Sequence, residues 1–133
     1  MSIRPNKFLE AQVLTASPEQ RFIMLFDRLL VDLDRAGEAL DMMSLEAAHL
    51  AFMHAQEILK VCIGTMREDI WPSGKDVKEL YRYSMVELIK ANATKSKEHL
   101  QNAEKVLRPL GEAWHGAAEK VMTGSRGISS GVA

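Results

Sequence analysis

Apolar residues recur along most of this chain at alternating intervals of four and three, and that spacing constrains the fold more than any other feature. Phe22, Phe26, Leu29, Leu33, Ala36 and Leu40 form the first such series. Ala48, Phe52, Ala55, Leu59, Cys62 and Met66 form the second, and Val77, Tyr81, Ser84, Leu88 and Ala91 the third. Leu100, Ala103, Leu107, Leu110, Trp114 and Ala117 form the fourth. The spacing keeps each series on one side of an α-helix and gives each helix a face to bury. No β alternation competes with it. Four stripes joined by short connections predict an all-α, antiparallel, up-down-up-down four-helix bundle.

Local signals place the ends. Ser17-Pro18-Glu19-Gln20 offers a capping serine, a proline at the first helical position and a glutamine at the third, so helix one starts there and runs to about Asp41. Ser44 is placed to cap helix two, which ends near Arg67. Trp71-Pro72-Ser73-Gly74 breaks the chain, and Ser73 with Asp76 restarts it near Lys75. Helix three stops in the polar run from Asn92 to Ser96, where Ser96 can cap helix four. Pro109 predicts a kink or break near Arg108. Residues 1–122 are expected to form one domain with a flexible arm over 1–16. The Gly- and Ser-rich stretch 123–133 is expected to be a disordered tail.

Composition then removes whole classes of function. The 133 residues are 47% hydrophobic and 26% charged, too apolar for global disorder and sufficient for one core. A formal net charge of -1 lacks the basic excess of a nucleic-acid binder. Cys62 is the only cysteine, so no intramolecular disulfide can form, and it sits in a stripe as a small hydrophobe. The segment Met1 to Lys7 lacks the apolar run of a signal peptide, and no stretch approaches membrane-spanning length. A cytoplasmic protein without membrane insertion is expected.

A bundle core leaves a surplus unexplained. At about 100° per residue, Leu50, Met53 and Val61 fall roughly opposite the core stripe of helix two. Tyr83, Val86 and Ile89 lie away from that of helix three, and helix one adds Met24 and Val31. The back of helix four, with Asn102, Lys105, Arg108 and Glu112, is an ordinary solvated face. Helices apolar on two sides need a second partner, and flexible methionines suit an adaptable one. Two readings stay open: scattered surface residues partly covered by the arm, or a docking surface. Ile3, Phe8, Leu9, Val13 and Leu14 of the arm have no periodic home of their own.

Several ordered motifs resemble one family. Val13-Leu14-Thr15-Ala16-Ser17-Pro18 followed by Met24-Leu25-Phe26-Asp27 is similar to the opening signature of the flagellar export chaperones. Ala55-Gln56-Glu57-Ile58-Leu59 resembles that family's second helix, and Leu80-Tyr81-Arg82-Tyr83 with Leu88, Ala91 and Asn92 its third. Leu110, Glu112, Ala113 and Trp114 match its closing motif, so the resemblance spans about Phe8 to Ala117. It implies a cytoplasmic bundle that binds the C-terminal region of flagellin, keeps it from polymerising prematurely and delivers it to the export apparatus. It also implies no catalysis, cofactor or metal, and a monomer or weak homodimer. The candidate partner-binding set is Phe8, Val13, Met24, Leu25, Phe26, Leu50, Met53, Val61, Tyr81, Tyr83, Val86 and Ile89. Phe8 and Phe26 stand where the family often has tyrosine, and Ile70-Trp71-Pro72-Ser73 replaces its usual glycine pair.

The sequence also carries a pattern of competing chemistry. Glu46-Ala-Ala-His49 and Glu112-Ala-Trp-His115 repeat the Glu-x-x-His of di-iron bundles. Both glutamates, however, fall opposite their core stripes, whereas such ligands must project inward. His49 and His54 are five apart and do not align as a zinc pair. No phosphate-cradling loop or nucleophilic arrangement is recognisable. An unrelated helical adaptor or self-associating bundle would show the same second faces.

Overall fold

The computed structural model describes residues 16–67 and 73–132, with side chains as far as residue 120. Four helices follow one another, α1 (Pro18–Asp41), α2 (Leu45–Thr65), α3 (Gly74–Thr94) and α4 (Lys97–Val132), and there is no strand among the described residues. The arm and the Glu68–Pro72 segment fall outside the description.

Helix α1 starts where its capping chemistry dictates. The Gln20 amide donates to Ser17 Oγ at 3.1 Å and the Ser17 amide donates back to Gln20 Oε1 at 2.9 Å, a complete capping box. Ser44 and Ser73 occupy the cap positions of α2 and α3 but make no side-chain cap bond, so these two helices rely on packing for their starts. Ser96 Oγ accepts from the His99 amide at 3.4 Å. Helix α1 ends in a Schellman closure, with the Ser44 amide donating to Ala39 O and the Met43 amide to Leu40 O. Met43 carries the left-handed φ of 56° that this closure requires, a place where glycine is usual. Lys95 (φ 52°) closes α3 with the same left-handed turn, its amide and that of Ser96 both donating to Ala91 O.

Packing follows the stripes. Phe26, Leu29 and Leu33 of α1 are buried with Phe52 and Leu59 of α2, Tyr81 and Leu88 of α3, and Leu100 and Leu107 of α4. The packed pairs are α1 with α2, α2 with α3, α3 with α4, and α4 with α1. Two ion pairs and a hydrogen bond tie the last of these: Asp41 with Lys97 at 2.5 Å, Asp34 with Arg108 at 2.6 Å, and Asp27 hydrogen-bonded to His115 at 2.7 Å. As the α1 number falls the α4 number rises, so the two helices run in opposite senses along this seam.

Of the kink or break expected in α4, the break does not occur, because the helix runs continuously from Lys97 to Val132. Pro109 is exposed, as is Lys105 one turn before it, so the carbonyl left without a donor lies on the watered side. The helix also continues through 123–132, where a disordered tail is expected. Extending an existing helix adds a bond per residue without a new nucleation step, so low local propensity alone does not stop it.

Gly111 explains how α4 fits against α1. A Cβ at this position would lie 3.1 Å from Leu30 Cδ1 and 3.2 Å from Phe26 Cε1, tighter than ordinary packing. The glycine, which the sequence alone marks only as a weak helix former, is the surface on which the Phe26 ring rests.

Candidate partner-binding surface

Leu50, Met53, Val61, Tyr83, Val86 and Ile89 are all between 40% and 63% exposed, as the helical spacing requires. Polar contacts between helices show which way each one leans. His54 of α2 reaches Asp32 of α1. Leu50 and Val61, four residues before and seven after His54, share its side and flank the α1–α2 seam. His49 of α2 reaches Asn92 of α3, the Asn92 Nδ2 lying 3.0 Å from His49 Nδ1. Met53, four past His49, and Ile89, three before Asn92, therefore flank the α2–α3 seam. Glu87 of α3 accepts from His99 of α4 at 2.6 Å. Tyr83, four before Glu87, leans towards α4, and Leu80 and Val86 sit three residues to either side of it along α3. Leu80 is itself exposed, as is Val31 on α1.

By the same rule Val86 lies three residues from both Tyr83 and Ile89, and Leu50 three from Met53, so the exposed apolar residues form adjoining strips along the outer sides of α2 and α3. Sequence spacing separates inside from outside on each helix, but it does not say how neighbouring helices are turned.

The rest of the candidate set divides differently. Phe26 and Tyr81 are buried, with 1% and 0% exposure, and are core residues with no surface to offer a partner. Their stripe positions dictate this, and the stripes outweigh the motif resemblance that put them in the set. Leu25 is partly buried against the core, and Met24 is intermediate. Phe8 and Val13 lie outside the described residues.

A feature that periodicity missed sits where α1 begins and α2 ends. Phe22, Ile23, Met66, Trp114, Ala117 and Ala118 line a groove of about 760 Å³, with Cys62 also on its wall. Trp114, which the stripe predicts as a core anchor, is instead half-buried on this groove. Its ring stands edge-on to Phe22 with centroids 5.6 Å apart, and its indole N–H donates to the Tyr81 hydroxyl at 3.1 Å. The signal for this groove was the place where the stripes run out together, at Phe22, Met66 and Trp114.

The groove is chemically quiet. Burial pushes the Cys62 thiol up to about 12, so it stays protonated and is a poor nucleophile. Burial likewise pushes the Tyr81 hydroxyl up, the nearby Cys62 adds to this, and the Trp114 hydrogen bond works the other way. Glu46 and Glu112 are exposed on α2 and α4. Among the described residues no group of three or more His, Cys, Asp or Glu side chains is placed to hold a metal ion. No helix among them is long and apolar enough to cross a membrane. What the surface offers is apolar area in strips, with a groove at one end of the bundle.

No curated protein of known function matches the chain. A family model described as flagellar protein FliS matches residues 2–121. That span takes in all four apolar stripes, the exposed strips and the groove-lining residues. The chain belongs to the FliS family of flagellar export chaperones.

Proposed function

We propose that this protein is a non-enzymatic chaperone, an up-down-up-down bundle that binds the C-terminal region of flagellin in the cytoplasm. It keeps that region from polymerising prematurely and passes it to components of the export apparatus. The observation that carries the reading is the family match over residues 2–121. The exposed strips supply a physical means. Apolar burial is the main source of affinity on a chain of net charge -1 with such a surface. A few hundred Å² buried at roughly 25 cal/mol per Å² gives several kcal/mol, set against the cost of ordering a flexible partner. Because the strips run along the outer sides of two neighbouring helices, a partner touching them would lie across both as amphipathic helices.

Isothermal calorimetry with the isolated C-terminal segment of flagellin tests this directly. Saturable binding with a large negative heat-capacity change is expected. Absence of binding, together with a concentration-dependent increase in mass on sedimentation, would replace this reading with that of a self-associating bundle.

A further inference from the structure

The most exposed large apolar residues among those described are Met42 and Met43, at 81% and 82%, in the turn between α1 and α2. Leu45, beside them at the start of α2, is also exposed. None of the three belongs to the strips along α2 and α3. Met43 is unfavourable on two counts: its φ of 56° puts a β-carbon where glycine or asparagine is usual, and its side chain lies in water. The fold gains from neither. A backbone outlier whose side chain barely touches the bundle points to a use outside the chain.

The charges at this end of the bundle are unevenly satisfied. Lys97 is committed to Asp41 across the seam, and Lys95 donates to the Asn92 carbonyl and to Asn92 Oδ1, each at 2.6 Å. Glu38 and Glu46 stand exposed on either side of the turn and have no ion-pair partner among the described residues. Glu38 and Met42 also border a cleft of about 500 Å³ between α1 and α2, lined by Ala39 and Ala47, with Arg35 nearly one turn further along it.

We propose that this tip docks a short segment of another protein that presents one or two large apolar side chains beside lysine or arginine. The flexible methionines fit side chains of more than one shape, and the two carboxylates select the basic neighbours. Other occupants fit less well. Helix α1 has 24 residues and is about 36 Å long, and residues 1–15 join it at the opposite end. Even fully extended at about 3.3 Å per residue, that arm would use about eleven residues to reach the turn, Phe8, Leu9, Val13 and Leu14 among them. A second copy would bring too little: a standard interface takes about 20–30 residues a side, and two tips would also set Glu38 and Glu46 against their own counterparts. An anionic lipid surface would meet the same two carboxylates.

Calorimetry of the full chain with two synthetic helices tests this. One carries leucine on one face and lysine on the other, and its counterpart has glutamate in place of lysine. The lysine helix is expected to bind at least tenfold more tightly than the glutamate helix. Met42→Ser/Met43→Gly/Leu45→Ser should weaken the lysine helix at least tenfold, and Glu38→Gln/Glu46→Gln should remove the preference between the two peptides. Thermal unfolding of Met43→Gly alone should come at or above the parent's midpoint, because glycine suits the left-handed turn. The flagellin segment should bind the triple variant as it binds the parent, which separates the tip from the surface on α2 and α3. Parental binding of the lysine helix by the folded triple variant would overturn the proposal. So would a lowered midpoint for Met43→Gly, or a loss of flagellin binding that matches the loss of the lysine helix.

Discussion

The outward side of α4 and the outward sides of α2 and α3 are built on opposite rules although all three helices bury the same kind of stripe. Glu98, Gln101, Lys105 and Glu112 face solvent from α4, and Arg108 is committed to Asp34 and Glu104. Leu50, Met53 and Val61 face solvent from α2, and Tyr83, Val86 and Ile89 from α3. One side looks finished when water covers it. The other carries apolar area that a monomer gains nothing by exposing, which separates residues that hold the fold from residues available to a partner.

The sharpest test uses two tyrosines two residues apart. Tyr81→Ala removes a fully buried ring and leaves the Trp114 indole without its hydroxyl partner, so it should cost about 3–5 kcal/mol in urea unfolding. Tyr83→Ala should fall within about 0.5 kcal/mol of the parent. If the two variants unfold alike, the inside and outside of α3 have been confused. A second test moves from stability to binding. Val86→Asp and Ile89→Asp should each weaken the flagellin segment at least tenfold, about 1.4 kcal/mol by calorimetry, with thermal unfolding close to the parent. Folded variants of both that still bind at parental strength would take the docking surface away from α3.

Two glycines of α4 sharpen the comparison further. Gly116 has open space where a Cβ would be, so Gly116→Ala should stabilise by about 0.5–1 kcal/mol through helix propensity alone. Gly111→Ala gains the same propensity but presses on Leu30 and Phe26, so its unfolding midpoint should lie below that of the Gly116 variant. The smallest effect belongs to the charged seam. Asp34→Asn should cost no more than about 1 kcal/mol at low ionic strength, and the difference should shrink towards zero near 1 M salt. A cost that salt leaves untouched would mean that Asp34 acts through packing.

Much of this contrast is legible in the sequence because it depends on local periodicity. The stripe positions of Phe52, Leu59 and Leu88 and the exposure of Leu50 and Val86 follow from spacing along one helix, and the Ser17-Pro18-Glu19-Gln20 cap from local backbone chemistry. What failed needed knowledge of a second helix. Phe26 and Tyr81 entered the binding set by motif resemblance, against their own stripes. The Pro109 break was expected because propensity does not say whether an orphaned carbonyl meets water or protein. The end groove escaped notice because it belongs to no single helix. The heptad of Asp27, Asp34 and Asp41 on α1 is a further signal in the sequence, since each finds a basic side chain or an imidazole on α4.

That sevenfold spacing leaves the alignment of the two helices underdetermined. If α4 slid by one heptad along α1, Lys97 would meet Asp34 and Arg108 would meet Asp27, so two of the three pairs would form again with new partners. The charges alone therefore tolerate a misthreaded bundle. Gly111 does not. Sliding one way brings Glu104 over the Phe26 ring and sliding the other way brings Ala118, and each adds a Cβ that would press on Leu30 and Phe26 at 3.1–3.2 Å. A residue that weakens its own helix thus acts as the notch that tells α4 where along α1 to stop.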